Sequence, residues 1–271
     1  MSIITLTTDF GHKDYFVAVL KEKIFNAFSE AKILDITHKI DLYNLSDTAY
    51  NLLGVLQHFT LPAFHFVFVD SEIESSNEFI LAKKNNQWIF VANNGLISLL
   101  SVYHSFDEIY KIEKPTAKQS TVDCYLSFVE HINNGQLPEQ TPIEEIKQLT
   151  ELKVSYNKEN NQLRGVVIYE DNYGNLVTNI TKELFDKYRE NRKFTCKFSN
   201  YSFDRIQSHY EDFRLKENET VKQKEGSGLL LFNDQNFLQI SIYKSKENGG
   251  GIPRNLMNLS YRDTVFIEFE E

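Results

Sequence analysis

The chain has 271 residues, 41% of them hydrophobic, which is enough for two ordinary domains with sizeable cores. Its formal net charge of −9 offers no basic surface of the kind that binds nucleic acid. No run of about 18 apolar residues and no signal-peptide pattern is present. The two widely spaced cysteines, Cys124 and Cys196, lack a CxxC spacing and are expected to be reduced thiols. We therefore predict a cytoplasmic protein that does not bind a membrane.

The first half of the chain alternates between strand and helix patterns. Short runs rich in apolar residues predict strands, at residues 3–8, 33–37, 64–69, 79–83 and 87–92. Apolar residues with a helical period predict helices at residues 14–30, 94–103 and 123–133. A further helix is predicted from Asn44 to Phe59, because Asn44 with Asp47 three residues later resembles a helix start. Strands that alternate with helices form a parallel sheet with right-handed crossovers. We predict an α/β domain over residues 1–145.

The second half of the chain is dominated by strand patterns. Strands are predicted at residues 163–170, 175–180, 193–199, 228–232, 237–242 and 264–269, with one short helix at residues 181–188. Their spacing favours a small antiparallel barrel or sandwich. We place a β-barrel domain at residues 160–271.

Acidic and hydroxyl side chains end three of the predicted parallel strands, at Thr7-Thr8-Asp9, Asp35-Ile36-Thr37-His38 and Val69-Asp70. These ends should meet at the sheet edge where open α/β folds bind ligands, and carboxylates there suit the vicinal hydroxyls of a ribose. Each residue taken alone could instead be a cap or turn former. The sequence contains neither GxGxxG nor GxxxxGK[ST], so we expect a nucleoside-like ligand without a phosphate cradle. Asp9-Phe10-Gly11 also occurs in kinases, but the other kinase motifs are missing.

The motifs, taken in order, resemble one protein family. They are Asp9-Phe10-Gly11 with Asp14, Asp35-Ile36-Thr37-His38, Val69-Asp70, Asn93-Asn94-Gly95-Leu96, and the segment YGNLVTNI at residues 173–180. Over essentially the whole chain this series resembles the S-adenosyl-L-methionine (SAM) hydroxide adenosyltransferases, relatives of the fluorinase and chlorinase enzymes. The resemblance implies attack of water on the ribose C5′ of SAM, giving adenosine and L-methionine. It also implies a homotrimer, with each site between the N-terminal domain of one subunit and the C-terminal domain of its neighbour.

The resemblance also implies roles for individual residues. It puts Asp9 on the ribose 2′ and 3′ hydroxyls, Asp14 near the methionine ammonium, and Tyr43 against the substrate. The residues expected to reach the adenine and the methionine end from the neighbouring subunit are Asp171, Tyr173 and Asn175. The seven histidines show no paired metal spacing, so we predict no metal and no cofactor besides the substrate itself.

The catalytic positions depart from the family pattern, in which water is held by an Asp, an Arg seven residues later, and a His before Gly-Arg-Asp. Asp70 matches the first, but Asn77 stands at the Arg and Ser120 at the His. We assign these three residues to catalysis and Thr121, at the following Gly, to substrate binding. Asn77 and Ser120 could still hydrogen-bond a water, but neither provides the positive charge that would favour hydroxide.

Two other functions remain open at this point. The first is a non-catalytic or weakly active adenosyl-ligand binder, which would keep the pocket without the water-activating residues. The second is transfer of the adenosyl group to another nucleophile. A halide nucleophile is disfavoured by the negative charge of Glu72 and Glu74 near the site.

Overall fold

The computed structural model describes residues 3–71, 78–113, 119–149, 153–213, 224–244 and 251–270. The chain divides into two compact units, Met1–Glu151 and Leu152–Glu271. Across the described parts of the chain, no helix combines the length and the apolar character needed to cross a bilayer.

The first unit is built on one six-stranded sheet. Its strands are β1 (Ile3–Thr8), β2 (Lys32–Thr37), β3 (Ala63–Phe68), β4 (Glu78–Lys84), β5 (Gln87–Ala92) and β6 (Glu108–Glu113). The strand order in space is β2-β1-β3-β5-β4-β6. The first four of these pair in parallel, whereas β4 runs antiparallel to both β5 and β6. The predicted α/β fold with a parallel sheet is confirmed, and the unpredicted β6 extends its antiparallel edge.

In the part of this unit that the structure describes, four α-helices connect or cover these strands: α1 (Phe16–Ala27), α2 (Leu45–His58), α3 (Leu96–Leu100) and α4 (Thr121–Asn133). The Asn44 side chain caps α2 by accepting the N–H of Asp47, as the sequence pattern predicts. The prediction of a helix over residues 94–103 was too long. The chain beyond α3 tightens into turns, because Val102 and Tyr103 donate to carbonyls three residues back.

An aromatic cluster fixes α4 to the sheet. Tyr125 of α4 is fully buried, and its ring lies 5.2–5.5 Å, centroid to centroid, from four phenylalanine rings, those of Phe66, Phe68, Phe79 and Phe90. Aromatic pairs at this separation contribute about 0.5–1.5 kcal/mol each beyond the area they bury. Helix α4 is thereby held against β3, β4 and β5.

The second unit is a nearly closed, barrel-like sheet. Its strands are β7 (Ser155–Asn157), β8 (Gln162–Glu170), β9 (Leu176–Thr181), β10 (Phe194–Phe198), β11 (Tyr201–Phe203), β12 (Ile206–Gln207), β13 (Gly228–Phe232), β14 (Phe237–Ile242) and β15 (Thr264–Phe269). The order is β11-β10-β15-β8-β9-β14-β13-β12, with β7 on β8. The pairs are antiparallel except β12 with β13, and the predicted antiparallel barrel is confirmed. The helices of this unit among the described residues are α5 (Lys182–Arg189) and α6 (Pro253–Met257).

Both cysteines are buried thiols, Cys124 in the first unit and Cys196 in the second. Burial raises the pKa of the Cys196 thiol to about 12, because the thiolate is poorly solvated there. This thiol is therefore protonated and unreactive at neutral pH.

Candidate active site

A cavity of about 630 Å³ opens in the first unit at the carboxyl ends of β1 and β3. Pockets of this size hold nucleoside-sized ligands. The predicted site residues that line it are Asp9, Asp14, Tyr43, Asp70, Ser120 and Thr121. The remaining lining residues are mostly apolar: Phe10, Tyr15, Phe16, Val19, Leu20, Lys23, Leu42, Phe68, Ser71 and Val122.

Asp9 follows β1 directly and is held by the neighbouring chain. Its Oδ2 accepts the backbone N–H of Tyr43 at 3.2 Å. A carboxylate has about four acceptor positions, so this bond orients the group and leaves capacity for a ligand hydroxyl. Gly11 follows with a φ of +67° and donates to the carbonyl of His38 at 2.7 Å, which turns the chain away from the sheet.

Tyr43 stands at the cavity with an exposed ring and a strained backbone. Its side chain is 68% exposed, and its φ of +62° is uncommon for a bulky residue. The bond from its N–H to Asp9 and the one from the N–H of Asn44 to the carbonyl of Asp41, at 3.0 Å, hold this conformation. Strain retained in this way is typical of ligand-contacting positions.

Asp70 follows β3 in a left-handed conformation, with a φ of +45°. The buried Asn94 side chain fixes this segment, because its Nδ2 donates to the carbonyls of Val69 at 3.1 Å and Asp70 at 3.2 Å. The Oδ1 of Asn94 accepts the N–H of Leu96 at the start of α3. The Asn-Asn-Gly-Leu motif noted in the sequence thus positions the Asp70 backbone.

Ser120 and Asp123 form a polar cluster with Lys23, which the sequence analysis missed. Lys23 Nζ donates to Ser120 Oγ at 2.9 Å and lies 3.2 Å from both carboxylate oxygens of Asp123. Burial opposes ionisation of Asp123, but hydrogen bonds from Ser120 and Lys23 outweigh it and lower the pKa of this carboxyl. Lys23 thus brings to this corner a positive charge that Ser120 itself does not provide.

Asp35 does not join the cavity, contrary to the expectation that three strand ends share one acidic edge. Its carboxylate lies 2.6 Å from Lys21 Nζ and 3.2 Å from His38 Nε2. Although partial burial opposes it, these partners lower the pKa of Asp35. His38 Nδ1 in turn bonds Thr8 Oγ1 at 2.9 Å. Asp35 is thus neutralised on the outer side of β2.

In the second unit, Asp171, Tyr173 and Asn175 belong to one tight turn between β8 and β9. The Asp171 carboxylate accepts the backbone N–H groups of Tyr173 and Asn175 and the Asn175 side-chain amide, at 2.8–2.9 Å. Gly174 has a φ of +76°, and a Cβ there would lie 2.6 Å from the Ile252 side chain. The turn holds Tyr173 outward, with 76% of its side chain exposed.

Asn77, the third predicted catalytic residue, lies outside the described residues, as do Glu72 and Glu74. Among the residues that are described, no three His, Cys, Asp or Glu side chains come together in a way that could hold a metal ion.

The fold and the cavity define an α/β unit with an acidic, nucleoside-sized pocket, followed in sequence by a barrel-like unit. The chain matches the models of the SAM hydroxide adenosyltransferase N-terminal domain over residues 4–142 and C-terminal domain over residues 165–266. It therefore belongs to the SAM hydroxide adenosyltransferase family.

Individual relatives match along nearly their full length. The (R)-S-adenosyl-L-methionine hydrolase of Methanocaldococcus jannaschii is 28% identical over 98% of this chain and 96% of its own. A crystal structure of an uncharacterized conserved protein from Thermotoga maritima has a TM-score of 0.76 at 21% identity, covering 98% of this chain and 99% of that one. A conserved hypothetical protein from Thermus thermophilus gives a TM-score of 0.70 at 18% identity, covering 98% of this chain and 100% of that one. These two structures share the fold.

Proposed function

We propose that this protein hydrolyses S-adenosyl-L-methionine to adenosine and L-methionine. The observation that carries the proposal is one nucleoside-sized cavity lined by three carboxylates, Asp9, Asp14 and Asp70, in a chain whose two halves both match this family. The hydrolase name of the archaeal relative supports the same reaction.

Each carboxylate has a distinct task in this proposal. Asp9, oriented by the Tyr43 N–H, accepts hydrogen bonds from the ribose 2′ and 3′ hydroxyls. Asp14, exposed at the rim, pairs with the methionine ammonium. The exposed Tyr43 ring packs on the substrate, where a cation–π contact favours the sulfonium.

The reaction itself asks little of the protein beyond alignment. The water oxygen bonds to C5′ while the C5′–S bond breaks, and the bonding pair goes to sulfur. Methionine leaves as a neutral thioether, so no acid is needed at the leaving group. The proton released by the water passes to Asp70 and then to solvent. Holding water and substrate in line provides most of the remaining acceleration.

The assay should follow an oxygen-isotope label from the water as well as the amount of product. Purified protein is incubated with each sulfonium epimer of SAM in ¹⁸O-water, and adenosine and methionine are separated by chromatography. We expect ¹⁸O in the 5′ hydroxyl of adenosine, and EDTA should not change the rate because no metal or other cofactor takes part. Calorimetric binding without any adenosine from either epimer would instead favour the non-catalytic binder.

We also propose a cytoplasmic homotrimer with its sites at the subunit interfaces. Large apolar side chains at the cavity rim are unusually exposed, among them Tyr15 at 70% and Leu42 at 71%, and such patches favour association. Buried reduced thiols suit a reducing compartment. Light scattering after size exclusion should give three times the mass of one chain, and a monomeric mass would contradict this assembly.

A further inference from the structure

We propose that Lys23 supplies the positive charge and the water-binding donor at the nucleophile side of this cavity. The inference rests on the proposed hydrolysis and deepens it. It concerns the corner at the N-terminus of α4, where Ser120 caps the helix. Lys23 lines the same cavity as Asp70 and the ribose-binding Asp9.

Helix α1 carries Lys23 to this place. Phe16, Val19, Leu20 and Lys23 follow each other at helical spacing, and all four line the cavity. The first three form an apolar wall, and Lys23 is its one charged position. The contact of Lys23 with Ser120 joins residues 97 positions apart, so packing of α1 beside α4 creates the site.

The Ser120 hydroxyl is fully used inside the cluster. It donates to Asp123 Oδ2 and accepts from Lys23 Nζ at 2.9 Å and from the Asp123 N–H at 3.4 Å. A hydroxyl has one donor and two acceptor positions, so no position is left over for a water. Ser120 therefore serves as a cap and a ligand of the lysine, not as the water holder expected from the sequence.

The ammonium, by contrast, keeps a donor for the cavity. One N–H of the ammonium bonds Ser120 Oγ. The two Asp123 oxygens are both 3.2 Å from Nζ and lie too close together in direction for two N–H bonds, so they share a second N–H as a three-centre bond, and the third is left for a water. The Lys23 side chain is 36% exposed and lines the cavity, so a water can approach it. The pair with Asp123 cancels the charge at longer range, so the cationic sulfonium is not repelled from the pocket.

This arrangement defines the role of Lys23 in the displacement. The water oxygen accepts the remaining N–H of Lys23 and attacks C5′, one water proton moves to Asp70, and the C5′–S pair goes to sulfur. A cation hydrogen-bonded to the water stabilises the hydroxide character that develops as the proton leaves. An amide or hydroxyl alone would not provide this charge.

The test compares Lys23→Met with Lys21→Met, since both lysines lie on α1 and pair with an aspartate but Lys21 is not among the residues that line the cavity. We expect Lys23→Met to lower kcat about 100-fold, as loss of one preorganised donor does, with little change in KM. The rising limb of kcat against pH should move to higher pH. Lys21→Met should change kcat less than about two-fold, as for an exposed ion pair. Lys23→Arg should restore much of the lost rate.

The outcomes separate this inference from the proposed function. If the wild type is active and Lys23→Met keeps the wild-type kcat and pH profile while its melting temperature falls, Lys23 only supports the α4 cap and the inference is wrong. An inactive wild type overturns the proposed function and the inference together. If Lys23→Met does not fold, the same measurements are made on Lys23→Gln, which keeps a polar side chain and for which we expect the same loss of kcat.

Discussion

Asp9 and Asp70 end neighbouring parallel strands, yet each is oriented by a different device. Asp9 is held through its side chain, by one bond from the Tyr43 N–H. Asp70 is held through its backbone, in a left-handed conformation supported by Asn94. The first arrangement fixes an acceptor for a ligand, whereas the second aims a carboxylate into a cavity while its side chain stays available for proton transfer.

Substitution of Asp9 tests the ribose contact. Asp9→Asn keeps an oxygen for the Tyr43 N–H but removes the charge, so we expect adenosine to bind about 10–100-fold more weakly, as for loss of a charge-assisted hydrogen bond. Binding of 2′,3′-dideoxyadenosine, measured by calorimetry, should be equal in wild type and variant. An equal loss for both nucleosides would mean that Asp9 does not contact the hydroxyls.

Substitution of Asp70 separates catalysis from stability. Asn adopts the left-handed conformation at least as readily as Asp, so Asp70→Asn should leave the urea unfolding midpoint unchanged or slightly raised. Its kcat should fall by about 10²–10⁴, as for loss of a general base. A variant that keeps wild-type turnover in the adenosine assay would exclude Asp70 as the proton acceptor.

At the scale of elements, the short turn between β5 and α3 positions the end of β3. Asn94 reaches across to the Val69 and Asp70 carbonyls, and Gly95 follows with a φ of +102°. A Cβ on Gly95 would lie 2.3 Å from Leu149 Cγ. Both the backbone conformation and the packing therefore require glycine here.

Gly95→Ala measures this requirement. We expect it to lower the free energy of unfolding by about 2–4 kcal/mol, the sum of a left-handed alanine and an overpacked contact. Gly135→Ala is the matched control, because Gly135 has a φ of +69° but nothing within 4 Å of its added Cβ, so only the backbone part should appear. The measurement is urea unfolding of Gly95→Ala, of Gly135→Ala and of the double variant that combines Gly95→Ala with Leu149→Ala. Equal losses at the two glycines would contradict the steric part.

At the scale of the whole molecule, stability depends on pH through a buried histidine. His65 in β3 is fully buried, with Nδ1 2.8 Å from Thr5 Oγ1 and Nε2 2.9 Å from Gln87 Oε1. Because the Gln87 amide donates to the Phe59 carbonyl, its oxygen faces Nε2, which therefore carries the proton. Burial lowers the pKa of His65 to about 4, despite the opposing effect of the hydrogen bond that Nε2–H donates to Gln87.

The sign of the pH effect follows from this lowered pKa. The unfolded chain binds a proton at His65 near pH 6.5, and the folded chain only near pH 4, so the contribution of neutral His65 to stability is lost as the pH drops through this window. The loss from His65 should approach about 3 kcal/mol by pH 4. His65→Gln, which keeps both hydrogen-bonding sides, should flatten the curve of unfolding free energy against pH in urea titrations from pH 7.5 to 4. An unchanged slope would show that His65 is not the group responsible.

Local patterns in the sequence determined the secondary-structure elements and the place of two of the cavity's carboxylates. The strands Gly228–Phe232, Phe237–Ile242 and Thr264–Phe269 were predicted to the residue, because apolar runs bounded by turn residues are a local signal. Asp9 and Asp70 were predicted to meet at one ligand-binding edge, and both line the cavity, because chain order and parallel pairing suffice to bring them there.

Only the tertiary structure decided which charges reach the cavity. Asp35 lies within β2, and its carboxylate pairs with Lys21 and His38. Lys23 reaches Ser120, which lies 97 residues further along the chain. No periodicity or capping rule encodes such pairs, since they arise from how two helices pack on one sheet. The sequence by itself thus determined the pocket and its family, whereas long-range packing determined its electrostatics.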